Sequence, residues 1–220
     1  LLRGIITGIE QPDFERILIF EISLYDKKYN LIIEIMGRHS NIILLNQEGL
    51  ILDAIKRVTP HLSRERELYP GIKYIFPPRQ NKLNPLLLEE KSYAETTQAF
   101  NQASYQAILH NYRGIGPNSA RELVYRAGID PEKDFNKLTE KEKKALYSNL
   151  LELKEKILQE DFQPVLGLEG DKISYVSAFP LNHRLEKAKG FPTTGELLDF
   201  YYEKGIKEKE LDKKKKEFTT

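Results

Sequence analysis

Apolar and polar residues alternate along the first quarter of the chain with the period of two that is typical of β-strands. The alternation is clearest where Phe20, Ile22 and Leu24 are interleaved with Glu21 and Ser23. Polar turn sequences at 26–28 and 47–49 separate this run from further apolar runs. The pattern therefore predicts an antiparallel meander of four or five strands over residues 4–58, followed by a proline-rich loop over 59–85.

From residue 86 to about 161 the apolar positions recur with helical spacing. We expect a helix near 93–112 and a second over 118–127, which Gly128 ends as a typical residue after a helix. The intervening Gly114-Ile115-Gly116 is the layout of a helix–hairpin–helix, in which glycines permit positive φ and free amides can hold a phosphate. The candidate phosphate-binding residues are Gly114, Gly116 and Asn118. An ordinary helical hairpin that needs a tight glycine turn is the alternative.

The last third of the chain mixes helical and strand patterns. Asp130-Pro131 is expected to start another helical stretch, and Thr139 with Glu142 forms a capping-box pattern before a helix over 140–160. Strand character returns over 162–180, and a short amphipathic helix is expected over 196–202.

These patterns predict an α+β fold, in which an antiparallel β-meander is followed by a helical, helix–hairpin–helix-like region and a small α/β return segment. A chain of 220 residues with 40% hydrophobic positions is long enough to bury a core in one or two domains. We expect four segments: a β subdomain over 1–85, a helical subdomain over 86–161, a strand/helix return over 162–203, and the start of a coiled coil over 204–220.

Composition and spacing argue against several classes of protein. The absence of cysteine removes disulfides and thiolate chemistry, and the four histidines show no H-E-x-x-H spacing. We therefore expect no catalytic residues, no metal and no cofactor. The longest apolar runs are far shorter than the ~18 residues that span a bilayer, so no membrane partner is expected. The chain starts at Leu1 without a signal pattern, so we expect a segment of a longer protein, upstream of which a signal is still possible. The absence of cysteine agrees with a cytoplasmic location.

The net charge of +1 hides an uneven distribution of charge. Residues 52–82 carry seven basic side chains against three acidic ones, and 204–220 carry seven lysines against four acidic residues. The segment 131–161 offsets them with seven lysines against eight acidic residues. Basic loops of this kind fit contact with a phosphate backbone, although solvated loops around a proline-rich segment explain the charge equally well.

Two short motifs at the same predicted sheet end are candidate binding elements. One is Asp13-Phe14-Glu15-Arg16, and the other runs from Glu34 to Asn41. A hairpin turn at 26–28 places Arg16 opposite the region of Arg38. Glu34 and Met36 then point to one face of the sheet, where a carboxylate, a guanidinium and a thioether can contact unpaired bases. The alternative is a Glu–Arg cross-strand pair that closes the sheet end, with Met36 filling the core.

These residues also carry a resemblance to a known family. The segment from Tyr29 to Leu44, with its Glu-Ile-Met-Gly-Arg-His-Ser-Asn block, resembles the signature of the bacterial branch of the NFACT family. So do the run of 70–82 that begins Pro-Gly-x-x-Tyr-x-x-Pro-Pro and the hairpin–helix of 116–128. Members are often labelled fibronectin-binding protein A-like and include RqcH-like ribosome quality control factors. The resemblance covers nearly the whole chain.

The resemblance implies a non-catalytic RNA- and ribosome-binding module, similar in fold to formamidopyrimidine-DNA glycosylases but without their activity. Family members bind the stalled large ribosomal subunit and recruit tRNA(Ala) for alanine tailing of the nascent chain. An Asp-Arg pair and a Glu-Ile-Met triplet are tied to tRNA engagement, and here Glu15 stands where Asp is usual. A surface adhesin for fibronectin or fibrinogen and a DNA-glycosylase-like enzyme are the alternatives. The expected tRNA-binding residues are Glu15, Arg16, Glu34, Ile35, Met36 and Arg38.

Overall fold

The computed structural model describes residues 2–61, 65–78, 81–89, 101–170 and 172–205. The chain divides into two compact units, one of Leu1–Asn84 with Asn111–Gly114 and one of Pro85–His110 with Ile115–Thr220. Several sequence predictions lie outside the described residues. They concern most of the expected coiled coil, the first part of the expected helix near 93–112, and the basic residues Arg64 and Arg79.

An antiparallel sheet forms the first unit, with its five strands in the order of the sequence, which confirms the meander. The buried face of the sheet centres on Ile17, Ile32 and Ile43, and Leu68 from the following segment packs against them. The strands are β1 (Ile5–Glu10), β2 (Ile17–Leu24), β3 (Lys27–Glu34), β4 (Asn41–Leu45) and β5 (Ile51–Ala54).

The turn between β2 and β3 is shorter than expected, and this changes the register of the hairpin. Leu24 pairs with Lys27, so the turn consists of two residues, of which Tyr25 has a φ of 53°. The amide of Ile35 consequently donates to the carbonyl oxygen of Arg16 at 2.8 Å. The predicted turn at 26–28 and the predicted pairing of Arg16 with the region of Arg38 are therefore wrong.

Residues 65–78, which we call the strap, lie along the end of the sheet that carries β5. Leu68 and Val58 exchange backbone hydrogen bonds of 2.8 Å, and the Gly71 amide donates to the carbonyl of Ile51 at 2.8 Å. The Tyr74 amide donates to the carbonyl of Gly49 at 2.9 Å. These ties fasten the strap to the sheet although it contains no regular strand of its own.

The second unit contains the helical residues and a second, three-stranded sheet of order β7-β6-β8. Antiparallel strands followed by helices confirm the α+β class. The helices are α1 (Ser104–Asn111, of which Asn111 is grouped with the first unit), α2 (Pro117–Arg126), α3 (Glu140–Leu158) and α4 (194–205). The strands are β6 (Val165–Glu169), β7 (Lys172–Ser177) and β8 (Lys187–Gly190).

Most local predictions for the second unit agree with the structure. The Thr139–Glu142 capping box is present in both directions, and Gly128 follows α2 with a φ of 73°. The helical stretch expected from Asp130-Pro131 is wrong, because only a short 3₁₀ turn at Phe135–Lys137 precedes α3. That turn is capped by Asp134, whose side chain accepts from the amide of Asn136. Strand β8 was not predicted.

A buried carboxylate ties α2 to the segment that follows β7. Glu122 is completely buried and accepts hydrogen bonds from Arg126 Nε at 2.7 Å and Asn182 Nδ2 at 2.9 Å. Its other oxygen accepts from the His183 amide at 3.0 Å and faces His183 Nδ1 at 2.9 Å. Burial alone raises a carboxyl pKa, but the hydrogen bonds from His183 and Arg126 outweigh it and hold the pKa of Glu122 below its usual range.

The described residues contain neither a membrane-spanning helix nor a cluster of metal ligands. No described helix is both long and apolar enough to cross a lipid bilayer. In the same part of the chain, no three His, Asp or Glu side chains converge as metal ligands would.

The Glu122 cluster predicts an acid-dependent loss of stability. In the Glu122→Gln variant an NH₂ donor faces groups that are themselves donors, so we expect a loss of about 3 kcal/mol in unfolding free energy at pH 7. Because the folded pKa is lowered, the carboxylate stabilises the fold above the unfolded pKa of about 4.3 and stops doing so as the pH falls through the folded pKa. The difference between wild type and variant, measured by urea denaturation, should therefore shrink as the pH is lowered towards 3.

The matched control for this variant is Glu132→Gln. Glu132 pairs with Arg121 at 2.6 Å, but its side chain is 59% exposed. Loss of this ion pair should change the unfolding free energy by less than about 1 kcal/mol at either pH. Parallel pH profiles for wild type and Glu122→Gln would contradict the assigned role of Glu122.

Candidate functional site

A strained turn places Glu15 and Arg16 at the start of β2. The 3₁₀ segment Pro12–Phe14 contains Asp13 with a φ of 53°, a left-handed conformation that non-glycine residues rarely adopt. The side chain of Arg113 holds this turn: its Nη1 donates to the carboxylate of Asp13 and, at 3.2 Å, to the Asp13 carbonyl. Its Nε donates to the carbonyl of Lys82 at 3.0 Å. The turn is thereby fixed from a distant part of the sequence.

Gly114 completes the support of the same turn. Phe14, which also has a left-handed φ of 56°, lies directly over this glycine. A Cβ added at Gly114 would lie 2.3 Å from the Phe14 ring, and Gly114 itself has a φ of 69°. The positive φ that the hairpin pattern allows for its glycines is found at Gly114 but not at Gly116, whose φ is −84°. The close contact gives Gly114 a packing role.

Glu34, at the end of β3, is the most heavily bonded of the predicted site residues. Its carboxylate is 1% exposed and receives a bidentate ion pair from Arg66, with Nη1 to Oε1 at 2.8 Å and Nη2 to Oε2 at 2.7 Å. The hydroxyl of Tyr74 donates to Oε1 at 2.8 Å. The cross-strand Glu–Arg pair considered as an alternative therefore exists in a different form, because the arginine comes from the strap.

The environment of this cluster favours a neutral Tyr74 hydroxyl and a charged Arg66 guanidinium. Burial and the neighbouring Glu34 carboxylate raise the pKa of Tyr74 far above its ordinary value, so the hydroxyl stays a donor. Burial lowers the pKa of the Arg66 guanidinium, but the hydrogen bonds to Glu34 more than compensate and the net shift is upward. The cluster therefore joins the charged Arg66 guanidinium to Glu34, with a neutral phenol beside them.

The loop after β3 is built by its own polar side chains. Gly37 turns the chain with a φ of 58°, and the Met36 amide donates to Ser40 Oγ at 2.9 Å. The Asn41 side chain brackets the backbone of Lys56, accepting from its amide at 2.9 Å and donating to its carbonyl at 2.8 Å. The Lys56 Nζ then donates to the carbonyl of Arg38 at 3.0 Å. These contacts leave the side chains of Arg38 and Lys56 exposed at one edge of the loop.

Two clefts of the first unit meet at this loop. The smaller, of 170 Å³, is lined by the turn before β2 and by Met36, Phe76 and the Pro77-Pro78 pair. The larger, of 590 Å³, is lined mainly by cationic and apolar side chains. Arg16, Met36, Pro77 and Pro78 line both clefts. The other residues of the larger cleft are Arg38, His39, Asn41, Lys56, Val58, Glu65, Arg66 and Leu68.

The structure brings together four of the six predicted tRNA-binding residues. Glu15 and Arg16 line the smaller cleft, Arg16 and Arg38 line the larger, and Met36 lines both while packing against the core. Ile35 lies on the opposite face of the sheet from its neighbours and is 52% exposed. Glu34 lies beneath the clefts with its carboxylate bonded as described. The tRNA contacts themselves stay a prediction for all six residues.

The remaining candidates surround the start of α2. Gly116 precedes the helix in an extended conformation, and Pro117 occupies its first turn. Asn118 is half-buried in that turn. The binding of phosphate by Gly114, Gly116 and Asn118 stays a prediction.

Sequence reasoning missed four residues that organise the clefts. Arg66 and Lys56 were counted only as part of a basic segment, Tyr74 only as part of a motif, and Arg113 was not singled out. A signal existed for Arg66, because a carboxylate on the apolar face of a strand requires a buried cation. Its identity was not readable, because 32 residues separate Arg66 from Glu34.

Comparisons with known proteins identify relatives across the chain. The model of the NFACT N-terminal and middle domains matches residues 1–220. The Rqc2 homolog RqcH of Bacillus subtilis is 34% identical over 205 residues, which cover 90% of this chain and 34% of the relative. The archaeal Rqc2 homolog aRqcH of Methanocaldococcus jannaschii is 30% identical over 216 residues, or 94% of this chain and 30% of the relative. The chain thus spans about a third of the length of these relatives.

Solved structures agree with this assignment at the level of the fold. The N-terminal part of the fibronectin/fibrinogen-binding protein of Streptococcus suis superimposes with a TM-score of 0.67 at 30% identity, over 91% of this chain and 68% of that one. The fibrinogen-binding protein of Staphylococcus aureus gives a TM-score of 0.66 at 24% identity, over 90% of this chain and 70% of that one. At that identity the second likeness shows the fold alone.

The contact of Phe14 with Gly114 predicts a steric penalty for any side chain at this glycine. We expect Gly114→Ala to lower the unfolding free energy by about 2–4 kcal/mol, from the left-handed φ and the collision with the Phe14 ring together. Chemical denaturation followed by circular dichroism measures the loss.

Gly49→Ala is the matched control for the backbone contribution. Gly49 has a similar φ of 78° in the same unit, but its nearest neighbour would be the end of the Lys73 side chain at 3.9 Å. Gly49→Ala should lower the unfolding free energy only by the backbone contribution, about 1–2 kcal/mol. Equal losses for the two variants would show that Phe14 does not rest on Gly114.

Proposed function

The chain belongs to the NFACT family of ribosome quality control factors, and on this premise we propose that its first unit binds RNA through the larger cleft. The observation that carries the proposal is the set of exposed cations that line this cleft, Arg16, Arg38 and Lys56, together with the apolar surface of Met36 and Pro77-Pro78. Cations contact phosphates, and apolar walls pack against ribose and unstacked bases. The surface therefore fits a folded RNA with an accessible loop.

Arg16 is the central cation of this proposal. Its side chain is exposed, and within the described part of the chain it has no ion-pair partner. Arg57, by contrast, pairs with Asp53 at 3.1 Å, so part of the local positive charge is already balanced. An unbalanced guanidinium shared by two clefts can bind a phosphate bidentately.

The proposed partners are a tRNA and the large ribosomal subunit. Support comes from the curated relatives, which are Rqc2 homologues, and from the match of Glu15-Arg16 and Glu34-Ile35-Met36 to the family motifs. We propose that the whole protein recruits tRNA(Ala) to the stalled subunit for alanine tailing, in the cytoplasm and without catalysis by this segment. Glu15 keeps the acceptor of the usual aspartate but carries it one methylene farther from the backbone.

Salt-dependent tRNA binding tests the proposal. Arg16→Ala, Arg38→Ala and Lys56→Ala should each weaken binding, and each should reduce the slope of log K against log salt by about 1 if one phosphate contact is lost. Fluorescence anisotropy of labelled tRNA(Ala), titrated with the 220-residue chain at several salt concentrations, measures both quantities.

Lys27→Ala/Lys28→Ala is the control for charge alone. These exposed lysines lie at the opposite end of β3, so their removal should leave the affinity nearly unchanged. Equal losses for the control and the cleft variants would reduce the interaction to non-specific attraction. The same titration with fibronectin in place of tRNA tests the adhesin alternative, which the name of the Streptococcus suis protein suggests. Binding to fibronectin that survives physiological salt, with no tRNA binding, would overturn the proposal.

A further inference from the structure

One chain of contacts links the buried Glu34 to the wall shared by the two clefts. Arg66 Nη1, which donates to Glu34 Oε1, also donates to the carbonyl of Ile75 at 3.2 Å. Ile75 lies one residue after Tyr74, whose hydroxyl binds the same Glu34 oxygen, and two residues before Pro77. The Phe76 ring packs edge-on against the Tyr74 ring, with centroids 5.2 Å apart. Three successive strap residues that lead to the cleft wall, Tyr74, Ile75 and Phe76, are thus tied to one carboxylate, directly or through one intermediate.

The bonding of Glu34 argues against a direct role in RNA contact. Each of its oxygens already accepts a hydrogen bond from Arg66, and Oε1 accepts a second from Tyr74. The side chain is 0% exposed, and Glu34 does not line either cleft. An RNA base could reach this carboxylate only after the strap had moved away and left a guanidinium without its partner, which is costly in a buried site.

We propose that Glu34 is a positioning residue for the RNA-binding surface: through Arg66 and Tyr74 it holds Ile75–Pro78 of the strap in place, and Pro77 and Pro78 of this segment line both clefts. That this surface binds RNA rests on the proposed function, whereas the positioning of the strap by Glu34 rests on the contacts alone. Arg66 then has two roles, because the same guanidinium that pairs with Glu34 also donates a hydrogen bond to the strap backbone.

Glu34→Gln separates three roles for this residue. If Glu34 acts only through charge, removing a negative group near a basic cleft should raise the affinity for RNA. If it reads a base, the loss should depend on which base is present in the RNA loop. If it positions the strap, all RNAs should lose affinity by the same factor, and the cleft should change shape before any RNA is added.

The single methionine makes the shape of the cleft measurable. Met36 is the only methionine of the sequence, and it lines both clefts beside Pro77 and Pro78 and the smaller one beside Phe76. Its ¹³C-labelled methyl group gives one NMR signal that reports on the cleft, and a Met36→Leu variant identifies that signal. Because this signal is read without RNA, it tests the strap even if the chain binds no tRNA.

The experiment compares Glu34→Gln with Asp53→Asn. Both variants remove one negative charge from the first unit, but Asp53 belongs to an exposed pair with Arg57. We expect Glu34→Gln to shift the Met36 methyl signal. We also expect it to lower the affinity for a tRNA(Ala) anticodon hairpin about tenfold, whichever bases the hairpin loop contains. Asp53→Asn should change neither. Tyr74→Phe removes one hydroxyl only, should shift the same signal in the same direction by less, and covers the case in which Glu34→Gln does not fold.

Two results would overturn the proposal. One is an unshifted Met36 signal in both Glu34→Gln and Tyr74→Phe. The other is a loss of affinity in Glu34→Gln that is confined to hairpins with one base at one position, which would make Glu34 a contact. A shifted signal in a chain that binds no RNA would keep the positioning role and would refute the proposed function instead.

Discussion

The first unit depends on a single buried carboxylate, that of Glu34 on the core face of β3. A charge in that place is tolerated only if cations and donors surround it. Arg66 and Tyr74 meet this requirement, and both belong to the strap. The need to neutralise one side chain therefore brings a loop without regular secondary structure to a defined position at the end of the sheet.

The motif from Glu34 to Asn41 combines two kinds of residue. Ser40 and Asn41 bind backbone atoms of Met36 and Lys56, and Gly37 supplies a left-handed turn. Met36 and Arg38 line the clefts that these contacts shape. Loss of RNA binding on substitution in this motif therefore does not by itself identify a contact with RNA, because an anchor and a contact residue give the same phenotype through different physical causes.

Several elements that depend on neighbouring residues were predicted correctly from the sequence. The β-meander follows from the alternation of apolar residues, and the start of α3 follows from the reciprocal bonds of Thr139 and Glu142. The register of β2 on β3 was missed because the length of the turn sets it, and the apolar pattern does not reveal that length. Tyr25 adopts a positive φ, so two residues are enough to form the turn. Strand β8 was missed because its four residues are all exposed and show no alternation. The partners of Glu34 and Asp13 come from distant parts of the chain, which a pattern of neighbours does not reveal.

The hydrogen bond from Arg113 to Asp13 joins residues that are 100 positions apart in the sequence. This separation affects the order in which the chain folds during its synthesis. The strands of the meander and most of the strap can assemble as soon as they leave the ribosome, since the hydrogen bonds described between them span no more than 40 residues. The turn that presents Glu15 and Arg16 contains two left-handed residues and has this distant side chain as a principal support. Since chains emerge from the N-terminus onwards and distant contacts form late, this corner of the molecule acquires its final shape only after residue 113 has been made. A nascent chain arrested before that point would carry a folded sheet in which the turn before Glu15 and Arg16 is still unfinished.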